Sequence, residues 1–395
     1  VKVLILHQHL KTPETGGALR SYYLAKALAD RGASVCVITG WNEKKYEVRN
    51  IDGFEVHYLP VPYDNSFGFV KRSVSFVQFA FNSYRLAKKI EKVSVCYAIS
   101  VPLTMGLPAI WLKKKKKIPF IFEVGDLWPD APIQMGFIKN PVLASTLYTL
   151  EKWIYRQADS VVALSEPIKA SIAKKIPGKE IHLVPNMADC DFYFPVKKEN
   201  AFEKKSFEGK FVVSYIGAAG IANGLDYLIE CARNSANASL PIQFILCGDG
   251  AMLEHLRSAS AKLGLTNIIF TGLVNRQQVK EIMDASDAIF VSYKNVPILE
   301  TGCPNKYFDG LAAGKLIVVN FGGWIKKEIE ERKCGVGIDP MHPSSFVKKI
   351  EPFILDKNLL HEYQASARQL AEEKYNRTKL SNSFASIFQK YSGGQ

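Results

Sequence analysis

The stretch Glu300-Thr301-Gly302-Cys303-Pro304-Asn305-Lys306-Tyr307-Phe308-Asp309-Gly310 places two acids and a lysine close together, directly downstream of an apolar run ending near Val291. A carboxylate can accept two hydrogen bonds from a vicinal diol such as the two hydroxyls of a ribose. A lysine between two such acids supplies the charge a diphosphate needs, and the amides of Thr301, Gly302 and Cys303 add N–H donors. Pro304-Asn305 suits the first turn of a helix. That start puts Glu300 ahead of the helix and Asp309 one to two turns inside it.

Three further clusters have types and spacing that could do chemistry. Lys11 to Arg20 contains Gly16-Gly17, which lets backbone approach a ligand, followed by a predicted helix from about Ala18 whose first free N–H groups are expected to aim into the cleft; a plain loop before a helix accounts for the same residues. Glu123-Val124-Gly125-Asp126-Leu127-Trp128-Pro129-Asp130 sets carboxylates at a strand end beside an indole on which a sugar ring could lie; helix capping by Asp126 or Asp130 is the alternative. Gly217 to Gly224 is rich in small residues, so a diphosphate could rest against its amides, with Gly220 and Asn223 in reach. Gly248-Asp249-Gly250 reads as a strand-to-helix turn. His7-Gln8-His9 would place both rings on one side of a strand, and without a third ligand a structural role outweighs a metal. Asp189-Cys190-Asp191 falls in connecting chain and reads as metal-free.

Apolar runs that alternate with helical patterns position these clusters. The runs are Val3–Leu6, Ser34–Thr39, Phe54–Leu59, Val93–Ala98, Pro119–Glu123 and Ser160–Leu164, then Phe211–Tyr215, Gln243–Cys247, Asn267–Thr271, Ala288–Val291 and Leu316–Asn320. Continuous apolar strands with helices between them imply parallel, doubly wound α/β sheets covered on both faces. The break from Pro185 to about Lys210 reads as a linker. Residues 1–190 and 191–378 are therefore expected to form two Rossmann-like domains facing across a cleft, with residues 379–395 a terminal helix that could pack back on the first. In such sheets ligands bind beyond the carboxyl ends of the strands, which is where the clusters fall.

A chain of 395 residues suits two such domains. Its seven cysteines show no CxxC spacing, which predicts buried, reduced thiols in a cytosolic protein. No apolar run spans a bilayer. No signal peptide precedes the first strand, and the missing initiator Met leaves a trimmed segment open. The net charge of +13 is uneven: residues 1–190 hold 26 Lys and Arg against 16 Asp and Glu, and the remainder hold 25 against 22. A basic first half predicts an anionic partner. Within it, Phe67, Phe69, Lys71, Arg72 and Phe76 crowd one amphipathic stretch, and Lys113, Lys114 and Lys115 open a run of five lysines. Both fit contact with anionic lipid, against the plainer readings of core aromatics and a solvated lysine loop.

Gly16-Gly17, Asp126-Leu127-Trp128-Pro129, Pro185-Asn186, Gly248-Asp249-Gly250 and Glu300 through Gly314 occur in an order that resembles the family 4 retaining glycosyltransferases of the GT-B fold. Within that family the resemblance is closest to the subgroup of WbuB-type O-antigen L-fucosaminyltransferases. It implies a nucleotide-sugar in the second domain and an acceptor in the first. Asp309 then holds the ribose, Glu300 faces the donor sugar, Lys306 meets the phosphates, and Asp126 stands at or next to a position where relatives carry a reacting-site His. The resemblance further implies Gly16, Gly17, Gly220, Asn223, Thr301, Gly302 and Asn305 on the donor side, Arg20 and Trp128 on the acceptor side, and no bound metal or other cofactor. Ile221 and Asn223 depart from the cationic residues many relatives carry there, and Asp309 is one methylene shorter than the usual Glu.

The function so implied is transfer, with retention, of a sugar such as N-acetyl-L-fucosamine from a UDP-sugar to a polyprenyl-diphosphate-linked saccharide in O-antigen or capsule synthesis. The expected location is the cytoplasm, peripheral on the inner face of the cell membrane. No nucleic-acid-binding module is visible. A UDP-sugar 2-epimerase of the same architecture and a non-catalytic, membrane-associated nucleotide-binding protein remain the alternatives.

Overall fold

The computed structural model describes residues 1–64, 67–195 and 207–391. The chain divides into two compact units. One comprises Val1–Pro185, Thr301–Cys303 and the segment from Thr378, and the other comprises Asn186–Glu300 and Pro304–Arg377. Most of the polar stretch read as a linker, residues 196–206, lies outside the described residues, as do residues 392–395 of the expected terminal helix.

The first unit is built on β1 (Lys2–Leu6), β2 (Ser34–Trp41), β3 (Glu47–Ile51), β4 (Phe54–Pro60), β5 (Val95–Ile99), β6 (Phe120–Val124), β7 (Ser160–Ala163) and β8 (Ile181–Leu183). Among the described residues these form one sheet in the order β3-β4-β2-β1-β5-β6-β7-β8. All pairings are parallel except that of β3 with β4. β5 and β6 are buried at every position, as apolar strands covered on both faces must be. The cover comes from α1 (Arg20–Asp30), α2 (Phe69–Ala87), α3 (Gly106–Lys116), α4 (Asp130–Gln134), α5 (Pro141–Gln157) and α6 (Glu166–Lys175).

The second unit holds β9 (Phe211–Ile216), β10 (Ile242–Cys247), β11 (Ile268–Gly272), β12 (Ala288–Val291), β13 (Leu316–Val319) and β14 (Gly335–Gly337), in the order β11-β10-β9-β12-β13-β14 and parallel throughout. Around them lie α7 (Asp226–Asn237), α8 (Leu253–Lys262), α9 (Arg276–Ala285), α10 (Asn305–Ala312), α11 (Trp324–Glu331), α12 (Ser345–Leu355) and α13 (Lys357–Leu370). Phe244 and Phe290 are buried against Phe346 of α12, with ring centroids 5.4 and 6.4 Å apart. Each such side chain contributes ~1.5–3 kcal/mol by leaving water. β3, β8 and β14 are absent from the sequence-derived strands. β3 is a polar edge strand, and the other two are three residues long.

The chain leaves the first unit after Pro185, five residues before the expected boundary, and returns after Arg377. Within the second unit these two passages are bonded to each other: Ala188 N–H donates to the Tyr375 carbonyl at 2.8 Å, and Arg377 N–H donates to that of Ala188 at 3.0 Å. Arg276 holds the Asp189 carboxylate at 2.8 Å, and Arg377 pairs with both Asp189 and Asp191. α14 (Arg377–Ser386) then carries Phe384 onto Tyr97 of β5, at 4.9 Å between centroids.

Candidate active site

In the second unit, the loops after β9 and β10 are zipped together. Gly217 N–H donates to Cys247 O at 2.9 Å, Ala219 N–H to Asp249 O at 2.8 Å, and Met252 N–H to Ala219 O at 2.9 Å. A Cβ on Gly248 would strike the Gly217 carbonyl, and one on Gly250 would lie 2.6 Å from that of Ala219. Gly248-Asp249-Gly250 is therefore glycine at both ends because two backbones meet there. Gly220 N–H donates to Asn223 Oδ1 at 3.2 Å. The amides of Gly217, Ala219 and Gly220, and the Asn223 side-chain oxygen, thus have partners within the fold. The loop also contributes shape.

That shape serves Lys306. α10 starts at Asn305, with Pro304 at the cap position, so Lys306 sits in its first turn and Asp309 one turn on. The Lys306 stem passes over Gly217, where an added Cβ would lie 3.1 Å from its Cε, and its Nζ stands 4.6 Å above the Tyr215 ring. Among the described residues it forms no ion pair. Burial drives its pKa down to about 8, partly offset by Asp309. The Asp309 carboxylate likewise has no hydrogen bond among the described residues. Burial, then the negative charge of Asp189, pushes its pKa up to about 7, against the pull of Arg276 and Lys306. Charged groups left in such a setting without partners mark functional sites.

Glu300 lies in a short 3-10 turn, Pro297–Thr301, and packs on Gly322-Gly323 after β13. A Cβ on Gly322 would come within 2.9 Å of its carboxylate, and one on Gly323 within 2.8 Å of its own Cβ. Sequence reasoning missed this support. The signal was a Gly-Gly pair soon after an apolar strand; a Gly-Gly pair also singled out Gly16-Gly17, farther beyond its own strand. It also missed Lys294, whose N–H donates to Ala222 O at 2.9 Å and whose Cγ lies where a Gly224 Cβ would be crowded to 3.0 Å. This puts an exposed cation beside the loop in which Ile221 and Asn223 supply none. Asn305 is exposed. Thr301 and Gly302 belong with the first unit, where the Ser165 hydroxyl donates to Thr301 O at 2.6 Å.

In the first unit the three carboxylates of the Glu123–Asp130 segment separate by role. Glu123 is buried and receives a fork from Arg20, Nε at 3.1 Å and Nη2 at 2.8 Å, together with the Tyr97 hydroxyl. The remaining Arg20 donors go to the carbonyls of Pro185 and Val184 at 2.6 and 2.8 Å. The guanidinium expected to meet an acceptor is thus committed within the fold. Asp130 shares Lys175 with the buried Glu151 at 2.6 and 2.7 Å and accepts from Tyr148. Asp126 alone has no ion pair or side-chain hydrogen bond among the described residues. Its side chain is open to solvent, yet the protein around it raises its pKa above the ordinary aspartate value. Trp128 is half-buried two residues on.

Gly16 and Gly17 have φ of +66° and +92°, and the Lys11 stem lies 3.4 Å from where a Gly17 Cβ would be. α1 starts at Arg20, later than expected, with no side-chain cap. His7 and His9 lie beyond the end of β1, with rings edge to face at 6.4 Å. Burial lowers their pKa values to about 4 and about 3, so both are neutral at physiological pH.

The residues expected at lipid are redistributed. Phe76 turns inward and stacks on Tyr63 at 5.6 Å. Phe67 is half-buried under the Lys71 ammonium at 3.6 Å, Arg72 is half-buried, and the Phe69 side chain lies outside the described residues. The apolar face that α2 does expose is Val70, Val74, Val77 and Phe81, one stripe at helical spacing. The lysine run is not a loop but the last turn of α3, where cations suit the helix dipole. Lys113 is tied to Asp159 at 2.9 Å, while Lys114 and Lys115 are exposed. Among the described residues no helix is long and apolar enough to cross a membrane.

Comparison with known proteins agrees with the two-unit α/β fold. Residues 15–187 match the Glycosyl transferase 4-like domain, and residues 196–370 match Glycosyl transferases group 1. The putative teichuronic acid biosynthesis glycosyltransferase TuaH of Bacillus subtilis (strain 168) is 27% identical over 282 residues, 70% of this chain and 67% of that protein. Sucrose-phosphate synthase from Thermosynechococcus elongatus superposes with a TM-score of 0.80 at 14% identity, covering 98% of each chain. Anabaena HepE in complex with UDP and glucose gives 0.69 at 16%, covering 98% of this chain and 99% of that one. Two parallel-sheet α/β units, each matched in turn by one of these domain families, make this chain a glycosyltransferase of the GT-B fold, joining a 4-like domain to a group 1 domain.

Proposed function

We propose that the chain transfers, with retention and without a metal ion at the reacting centre, an amino-deoxysugar of the N-acetyl-L-fucosamine kind from UDP to a polyprenyl-diphosphate-linked saccharide. The product would enter O-antigen or capsule synthesis at the cytoplasmic face of the cell membrane. The observation that carries this reading is the pair on α10 whose side chains form no hydrogen bond or ion pair among the described residues: Asp309, an acid suited to a ribose diol, and Lys306, packed on Gly217 and suited to a diphosphate. As the bond from the anomeric carbon to the diphosphate breaks, Lys306 takes up the charge gained by the leaving oxygen. The acceptor hydroxyl forms the new bond on the same face and gives its proton to that leaving phosphate. Glu300 or Asp126 stabilises the positively charged ring, and Trp128 receives the acceptor. UDP beside glucose in the HepE complex supports the donor class, and the teichuronic acid biosynthesis in which TuaH is named supports a surface polysaccharide. The exposed α2 stripe, with Arg85 and Lys88 exposed on the same helix end, supports contact with anionic lipid.

The test is a thermal-shift screen of nucleotide sugars, since a ligand that binds the native state raises its melting point. UDP-sugars should raise it in the wild type and not in Asp309→Ala. A control incubates the donor alone; its conversion to another sugar nucleotide would overturn transfer in favour of epimerisation.

A further inference from the structure

A mixed set of ligating side chains lies in the first unit, toward the amino ends of its strands and away from the loops described above. Cys36 on β2 and Glu55 on β4 are register partners. His57 follows two residues after Glu55 and so shares its face of the sheet. The Cys36 sulfur, a Glu55 carboxylate oxygen and a His57 ring nitrogen all lie within 4.8 Å of one another. Cys36 and His57 are buried, while the Glu55 side chain is 47% exposed. His57 Nε2 stands 2.6 Å from Glu55 Oε1, and its Nδ1 stands 2.6 Å from the Tyr46 hydroxyl. The Tyr46 ring stacks on the imidazole at 6.0 Å between centroids.

We propose that Cys36, Glu55 and His57 form a binding site for a zinc-type divalent cation, completed by one water. A thiolate, an imidazole and a carboxylate in tetrahedral reach are the ligands zinc takes. Tyr46 is the partner a ligating histidine requires on its other nitrogen. On binding, the Cys36 thiol gives its proton to solvent as the sulfur–metal bond forms. The imidazole keeps one proton, carried on Nδ1 and donated to the Tyr46 oxygen, which frees the Nε2 lone pair for the metal. Glu55 is open enough to swing from Nε2 onto the ion. Ligands of the reaction bind at the carboxyl ends of the strands, so this ion takes no part in transfer. It staples β2 to β4 and, through Tyr46, fixes the start of the polar edge strand β3.

The test uses the full chain freed of metal by dialysis against chelator and titrated with Co2+. Wild type should develop a thiolate-to-cobalt charge-transfer band that saturates at about one equivalent and disappears when Zn2+ is added. Cys36→Ser should lose the band. Tyr46→Phe should keep it with affinity lowered roughly tenfold or more. If Cys36→Ser fails to fold by circular dichroism, Glu55→Gln at the exposed ligand decides, with an expected loss of tenfold or more in Co2+ affinity. No band in the wild type, an undiminished band in Cys36→Ser, or unchanged affinity in Glu55→Gln overturns the site.

Discussion

Lys306 and Asp309 lie one turn apart on α10, and burial drives their pKa values toward each other, the ammonium down to about 8 and the carboxyl up to about 7. Asp309 feels Arg276 as well as Lys306, Lys306 feels Asp309, and neither side chain has a hydrogen-bonded partner among the described residues. The free protein therefore holds a carboxylate able to accept hydrogen bonds from a diol and an ammonium able to pair with a diphosphate, both titrating near neutral pH.

The pH dependence of kcat/KM follows from that pair. Below about 7 Asp309 takes up a proton and loses its ability to accept two hydrogen bonds from a diol. Above about 8 Lys306 loses its charge. A narrow bell with limbs near these values is expected, its apparent constants belonging to the pair. Lys306→Arg, which stays charged, should remove the alkaline limb. A flat profile from pH 6 to 9, measured by donor-limited turnover, would exclude the pair from catalysis.

Stability should move in the opposite sense to activity. The Asp309 carboxyl titrates near 3.8 in the unfolded chain and near 7 when folded. The stability it contributes is complete below the first value and lost as pH rises through the second. Asp309→Asn should therefore melt above the wild type at pH 8, by about 2 °C or more for a domain of this size, and converge with it near pH 4. The same variant should lose most donor affinity. Lys306→Ala should cut kcat by about 100-fold or more, the usual effect of deleting one charge stabiliser, with a smaller change in KM.

Gly217 ties the lysine to the loop. Its φ is +145°, and an added Cβ would stand 3.1 Å from Lys306 Cε. Gly217→Ala should both strain the backbone and push the ammonium off its place above Tyr215. The expected result is a fall of about tenfold in donor affinity, corresponding to ~1.4 kcal/mol, read by calorimetry with UDP.

These relationships mark where the sequence was legible. The strands of both sheets stood out because parallel strands buried on both faces are apolar without interruption, as β5 and β6 are. β3, which reads Glu-Val-Arg-Asn-Ile, is exposed through its middle and pairs only along one edge, so no apolar pattern marks it. Glu300, Lys306 and Asp309 could be picked out because they cluster within one short segment. The fate of Arg20 could not, since its fork reaches Glu123 across 103 positions and its other donors reach Val184 and Pro185. Nor could the phase of α2: its aromatic residues attract attention, but the helix turns Phe76 and Phe79 inward and leaves Phe81 and three valines outside.

Arg20 and Glu123 should behave as a structural couple. Both side chains are below one-tenth exposed, and removing one partner leaves the other charge buried. Arg20→Ala is expected to cost about 3–5 kcal/mol, measured by urea denaturation. Replacing both, as Arg20→Met with Glu123→Gln, should recover part of that loss. A single Arg20 variant with unchanged stability and impaired acceptor use would return the residue to substrate binding.

Contact with lipid should follow exposure, not aromatic content. Val74 and Val77 are 58% and 62% exposed in the middle of the α2 stripe. Embedding each contributes ~1.5 kcal/mol, about tenfold in partition. Val74→Asp combined with Val77→Asp should therefore reduce sedimentation with anionic liposomes at low salt by more than tenfold, leaving the melting temperature near that of the wild type. Phe76→Ala should do the reverse. It removes a ring stacked on Tyr63 and should lower stability by about 2 kcal/mol, short of the full cost of a buried Phe because the ring is half-buried, with liposome binding retained. Equal sedimentation of the valine double variant and the wild type would show that the stripe faces something other than lipid.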